Sequence, residues 1–167
     1  MRKQSATERT RTTFVSSPTG ILTVLFVNSN DEDCVSLERI LKSDWTVIAS
    51  ATISSALSVL REIKLPIVLF DAGLASGTWR EMLEHTSRLP DPPLLIVTSR
   101  LADDYLWAEA LNLGAWDVLA KPFDAEEVIR IVRSAWQHWQ ARHELHANPT
   151  VQRMAATGTR QMAATGT

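Results

Sequence analysis

The 167 residues carry 17 Lys and Arg against 19 Asp and Glu, a formal net charge of -2, so no overall field draws the chain to nucleic acid or to an anionic membrane. With 45% hydrophobic residues, this length suits one domain of ordinary size with a real core. The single cysteine, Cys34, excludes an intramolecular disulfide and a cysteine-based zinc site, and it fits a reducing cytoplasm.

Residues 1–20 are rich in Ser, Thr and Arg and poor in apolar side chains, a composition that cannot repay the entropy of ordering, so a flexible arm is expected there. That stretch also lacks the apolar core of a signal peptide. No run in the chain approaches the ~20 apolar residues of a membrane helix, and a soluble cytoplasmic protein is expected. Five short apolar runs follow: Thr23 to Val27, Trp45 to Ala49, Ile67 to Phe70, Leu94 to Val97 and Trp116 to Ala120. Runs this short and this continuously apolar suit strands buried on both faces, as in a parallel sheet covered by helices.

The segments between them read as helices. Apolar residues recur at three and four in Cys34, Leu37 and Leu41, and in Ile53, Ala56, Leu57, Leu60 and Ile63. Trp79, Met82, Leu83 and Thr86 mark a third helix, Asp103 to Leu113 a fourth closed by Gly114, and Val128, Val132, Ala135 and Trp139 a fifth. Asp124 and Glu127 form a capping pair after the Lys121-Pro122 step. The fifth helix is expected to continue through Gln140 to Asn148. Beyond it the repeat of Met154 to Thr159 as Met162 to Thr167 is expected to be disordered. The division is thus an arm (1–20), a five-unit βα domain (21–142), and a helix extension with a tail (143–167). Right-handed crossovers make this an α/β fold, a doubly wound five-stranded parallel sheet in the order 2-1-3-4-5 within a flavodoxin-like α/β/α sandwich.

In such sheets the working site lies at the carboxyl ends of the strands, which directs attention to Asn28, Ser29, Asp71, Thr98 and Lys121. Singly, each has an ordinary explanation: a turn-forming Asp, a β-branched strand end, a solvated lysine. Together, Asp71, Thr98 and Lys121 bring a carboxylate, a hydroxyl and an ammonium to one edge. A carboxylate oxygen can attack a phosphoryl donor to give an acyl phosphate, the ammonium neutralises the new charge, and the hydroxyl can donate to a phosphoryl oxygen.

From Ile21 to Trp139 the chain resembles the receiver domain of bacterial two-component response regulators, the chemotaxis-regulator type. The matching stretches are Val24-Leu-Phe-Val27, Pro66-Ile-Val-Leu-Phe-Asp71, Leu95-Ile-Val-Thr-Ser99 and Gly114-Ala-Trp-Asp-Val-Leu-Ala-Lys-Pro-Phe123. The resemblance implies that Asp71 is the phosphoacceptor, Thr98 the switch hydroxyl and Lys121 the phosphate-contacting lysine, with a cis peptide bond before Pro122. It implies a signalling domain rather than an enzyme. The expected partners are a histidine kinase or phosphotransfer protein and a downstream protein contacting helices four and five, with no direct nucleic-acid or membrane contact.

The chain departs from the family pattern where two adjacent acidic residues normally hold a divalent cation, for Asn28 and Ser29 stand there. Mg2+ binding is therefore expected to be weak, resting on Asp71 and the backbone oxygen of Gly73. Asp31, Glu32 and Asp33 follow closely, and Asp31 is the candidate to replace the lost metal ligands, but the three are expected rather to favour the positive end of the first helix, with Ser29 or Asn30 as its cap. Val118 occupies the family's aromatic switch position, Ala75 that of a loop proline, and Trp79 that of a loop glycine. Trp107, Trp136 and Trp139 suit either core packing or partner contact. His138, His143 and His146 suit a solvated helix end, and Cys34 a small core position. A phosphorylation-independent pseudo-receiver, acting as a protein-interaction module, is the alternative to a phosphorelay role. A flavodoxin-like cofactor enzyme is disfavoured, because Asn28 to Asp33 is acidic and lacks the glycines of a phosphate-cradling loop. A DNA-binding output domain is not expected in the few residues after Trp139.

Overall fold

In a computed structural model, residues 22–147 are described, with side-chain surroundings given through residue 144. The arm and the repeated tail lie outside the described residues. Strands and helices alternate throughout: β1 (Leu22–Val27), α1 (Asp31–Leu41), β2 (Trp45–Ser50), α2 (Ile53–Glu62), β3 (Ile67–Asp71), α3 (Trp79–Ser87), β4 (Leu94–Ser99), α4 (Asp104–Leu113), β5 (Asp117–Ala120) and α5 (Ala125–Ala147). The strands form one sheet in the order β2-β1-β3-β4-β5, and every pairing is parallel.

Because side chains alternate along a strand, each apolar run supplies both faces of the sheet. Leu25, Val27, Val68, Phe70, Leu95, Val97 and Val118 pack on one face with Ile53, Ala56 and Leu60 of α2, Trp79 and Met82 of α3, and Ala110 of α4. Val24, Phe26, Ile67, Leu69, Ile96 and Leu119 pack on the other with Leu37 and Leu41 of α1 and Val128, Ile131, Val132 and Ala135 of α5. All five residues of β3 are buried. Each large apolar side chain removed from water in this way contributes about 1.5–3 kcal/mol, which explains why the sheet centre carries no alternation of polar and apolar residues.

The helix boundaries follow from caps. Asn30, Thr52, Thr78 and Asp103 each accept a first-turn backbone N–H, from Glu32, Ser55, Glu81 and Leu106 respectively. Asp103 is thus the cap of α4 rather than its first residue, and Asn30 rather than Ser29 caps α1. Gly114 ends α4 in the left-handed region at φ 105, which favours a residue without Cβ. Glu127 N–H donates to Asp124 Oδ1 at 2.9 Å, as the capping pair requires.

The fifth helix continues past Trp139 to Ala147. Its end is packed as well as solvated, which departs from expectation. Trp136 and Trp139 stack at 5.7 Å and Trp139 and His143 at 3.6 Å between ring centroids. His143 Nδ1 lies 2.8 Å from the Trp139 carbonyl, and its Nε2 lies 3.3 Å from Asp91 Oδ1. The spacing of Val132, Trp136, Trp139 and His143 extends the buried stripe by one more turn, so the imidazole lands on an indole. His138, exposed, lies against Trp116 at 4.7 Å, and the side chain of His146 is outside the described residues. Trp139 is buried whereas Trp107 is 42% exposed. Cys34 sits half-buried at the edge of the core rather than within it. Burial, followed by the neighbouring Glu38, pushes its thiol pKa up. No described helix is long and apolar enough to cross a membrane.

Candidate functional site

Parallel pairing puts Asp71, the last residue of β3, directly beside Thr98 of β4. Lys121 follows β5, its N–H donating to the Ser99 carbonyl at 2.9 Å, and the Lys121-Pro122 peptide bond is cis. Three neighbouring strand ends thereby deliver the carboxylate, the hydroxyl and the ammonium to one edge. The Lys121 ammonium lies 2.9 Å from Asp71 Oδ1, and the Gly73 N–H donates to the same oxygen at 3.0 Å. The hydroxyl of Thr98 is fully buried and directed to the Phe70 carbonyl at 3.4 Å.

The structure corrects one expectation at this edge. Asp33 does more than favour the helix terminus, because its Oδ2 lies 2.7 Å from the Lys121 ammonium. The ammonium is shared between two carboxylates, with side-chain exposures of 3% for Lys121, 10% for Asp71 and 11% for Asp33. On its outer side Asp33 Oδ1 pairs with the guanidinium of Arg100 at 3.2 Å. The cause is helical geometry. Asp33, Leu37 and Leu41 are the buried residues of α1, spaced by four, and first-turn side chains lean toward the helix N-terminus, which in this fold faces the strand ends. Asp31 and Glu32, on the other side of the turn, are exposed.

Asn28 and Ser29 do not enter this cluster. The Asn28 amide is spent on its own loop, its Nδ2 donating to the Asn30 carbonyl at 2.6 Å and its Oδ1 accepting the Asn30 N–H at 2.7 Å. Ser29 is exposed. Among the described residues no group of three or more His, Cys, Asp or Glu is placed to hold a metal ion. Val118 is buried within β5, Ala75 is exposed, and Trp79 packs into the core as an anchor for α3. Leu101, before α4, and Tyr105, Trp107 and Leu111 on it are exposed large apolar side chains.

Residues 24–133 match the response regulator receiver domain family. No curated protein matches the chain at a significant level. Among solved structures, the chain is similar to the signal receiver domain of an HD domain-containing protein from Pseudomonas fluorescens Pf-5, with 23% identity over 72% of this chain and 98% of that one, at a TM-score of 0.64. It is similar to a CheY-like response regulator receiver domain protein from Methanospirillum hungatei JF-1, with 20% identity over 74% and 99% of the two chains and a TM-score of 0.65. A response regulator from Thermotoga maritima gives 22% identity over 68% and 96%, with a TM-score of 0.61. At these identities the likeness speaks for the fold.

Proposed function

The chain belongs to the response regulator receiver domain family, a signalling family of two-component systems, and on that premise we propose that it receives its signal as a phosphoryl group on Asp71. The observation that carries this reading is the ion pair of 2.9 Å between Lys121 and Asp71. Both the ammonium and the Gly73 N–H use Oδ1, and we assign Oδ2 as the attacking oxygen. A bond forms from Oδ2 to the donor phosphorus while the bond from phosphorus to the donor's leaving atom breaks, its electron pair departing with the donor. Lys121 stabilises the negative charge that spreads over the phosphoryl oxygens, and Thr98 is the hydroxyl beside it that can turn to donate.

Receiver domains interact with histidine kinases or phosphotransfer proteins and with effectors. For this chain we propose a cytoplasmic phosphodonor of that class and a protein partner at α4 and α5, for which the exposed Leu101, Tyr105, Trp107 and Leu111 give support. Receiver domains typically bind Mg2+ at an acidic cluster. Here Asn28 is committed to its own loop and both carboxylates hold Lys121, so the residues present do not fit that ion well. The same observation favours a second reading, a phosphorylation-independent interaction module that keeps Asp71, Thr98 and Lys121 for structure.

Mass spectrometry of the intact protein with a small phosphodonor at millimolar Mg2+ tests the two readings. The native chain is expected to gain little phosphoryl mass, and the double variant Asn28→Asp with Ser29→Asp clearly more, all of it lost with Asp71→Asn. Stoichiometric labelling of the native chain would refute the impaired site. Absence of label from every form would leave the interaction module as the function.

A further inference from the structure

We infer that the Lys121 ammonium is the resident cation of this site, closed in by a carboxylate that α1 supplies from Asp33, so that the site is complete without a divalent ion. The inference rests on the geometry of the resting site and is independent of whether Asp71 accepts a phosphoryl group.

Charge is the first argument. The family pattern sets two acidic residues and the acceptor Asp against one lysine, an excess of negative charge that a divalent cation relieves. Here Asp33 and Asp71 face Lys121 and Arg100, two carboxylates against two cations. A divalent ion brought to a balanced cluster gains little attraction and meets the repulsion of an ammonium whose side chain is only 3% exposed.

Ligand supply is the second argument. Mg2+ and Mn2+ require about six oxygen ligands in near-octahedral array. Asp33 Oδ2 and Asp71 Oδ1 are already within 2.7 and 2.9 Å of Lys121 Nζ, and the Asn28 amide is closed on Asn30. The ammonium therefore engages one oxygen of each carboxylate that a metal could draw on. Its own desolvation is offset by a charge-assisted hydrogen bond to Asp33 and the ion pair with Asp71.

Removing the ammonium should accordingly create the cation site that the native chain lacks. In titrations with Mn2+ followed by electron paramagnetic resonance, without any phosphodonor, the native protein is expected to bind no ion saturably at millimolar concentration. Lys121→Met is expected to bind at least about tenfold more tightly, through the two bared carboxylates. The gain should vanish when Asp33→Asn is added. Saturable millimolar binding by the native chain, no gain in Lys121→Met, or a gain that survives Asp33→Asn would each overturn the inference. If Lys121→Met does not fold, the native chain still decides the matter. The 15N resonance of the Lys121 ammonium should be observable, slowed in exchange by its two partners, and unmoved by millimolar Mg2+. A shift or loss of that resonance on adding Mg2+ would show displacement and overturn the inference.

Discussion

Replacing Lys121 by Met should destabilise the domain more than replacing Asp33 by Asn, and the two effects should not add. Lys121→Met leaves two carboxylates, 10% and 11% exposed, facing one another with no cation between them. Removing one partner from a buried ionic cluster costs about 3–5 kcal/mol, because the stranded charge keeps its desolvation penalty. Asp33→Asn removes one of two partners, leaving Lys121 held by Asp71 at 2.9 Å and returning the largely exposed Arg100 to water. One hydrogen bond to a charged group, about 1.5–3 kcal/mol, bounds that loss, and the exposed half of the interaction adds about 0–1 kcal/mol. In the double variant Asp71 is the one carboxylate that remains, with the Gly73 N–H still donating to it. Its cost should therefore fall short of the sum by about 1–3 kcal/mol. Urea unfolding followed by tryptophan fluorescence measures all four corners of this cycle, since Trp45, Trp79 and Trp139 are buried reporters on different elements. Single effects that add within about 0.5 kcal/mol would refute the claim that Asp33 and Lys121 act as one cluster.

Three other changes probe the frame around the site. Gly114→Ala should lower stability by about 1 kcal/mol purely through the backbone, because φ is 105 and an added Cβ meets nothing within 4 Å; an unchanged urea midpoint would contradict it. Trp139→Ala should cost about 3–5 kcal/mol, since this buried indole joins the half-buried Trp136 and His143 rings, and calorimetry showing a shift typical of a surface change would contradict that. Burial, opposed by the backbone hydrogen bond from Val118, raises the pKa of Asp117 from its ordinary value. In the window between its unfolded and its raised folded pKa the native state holds more protons, so stability falls as pH rises through it. Asp117→Asn should remove that step from the pH dependence of the urea midpoint, and identical slopes for the two proteins would refute it.

The sheet order and the three strand-end residues were legible because burial on both faces leaves a plain mark: short apolar runs that stop abruptly at the first polar residue. Asp71 and Lys121 each end or follow such a run, and parallel topology alone brings their ends together. Strand limits were less legible. The fifth run reads from Trp116, yet the strand begins at Asp117, because Trp116 makes a single backbone bond to Leu95 before pairing sets in.

Asp33 escaped the sequence because an acidic first turn already has a sufficient explanation in the helix dipole, and three acids in a row look interchangeable. They are not interchangeable on a helix. Counting back by four from Leu41 and Leu37 reaches Asp33, whereas Asp31 and Glu32 fall on the solvent side. The apolar period stops at Leu37 only because the next inward position faces the strand ends, where a charge has partners, rather than the core. His143 follows the same logic at the other end of the molecule, one turn beyond Trp139 on the inward stripe of α5, where it meets Asp91 instead of water. A polar residue in phase with a buried stripe, at the turn where the helix leaves the core, therefore carries more information than its neighbours of the same type. In this chain that phase distinguishes the one acid of α1 that reaches the site from the two beside it.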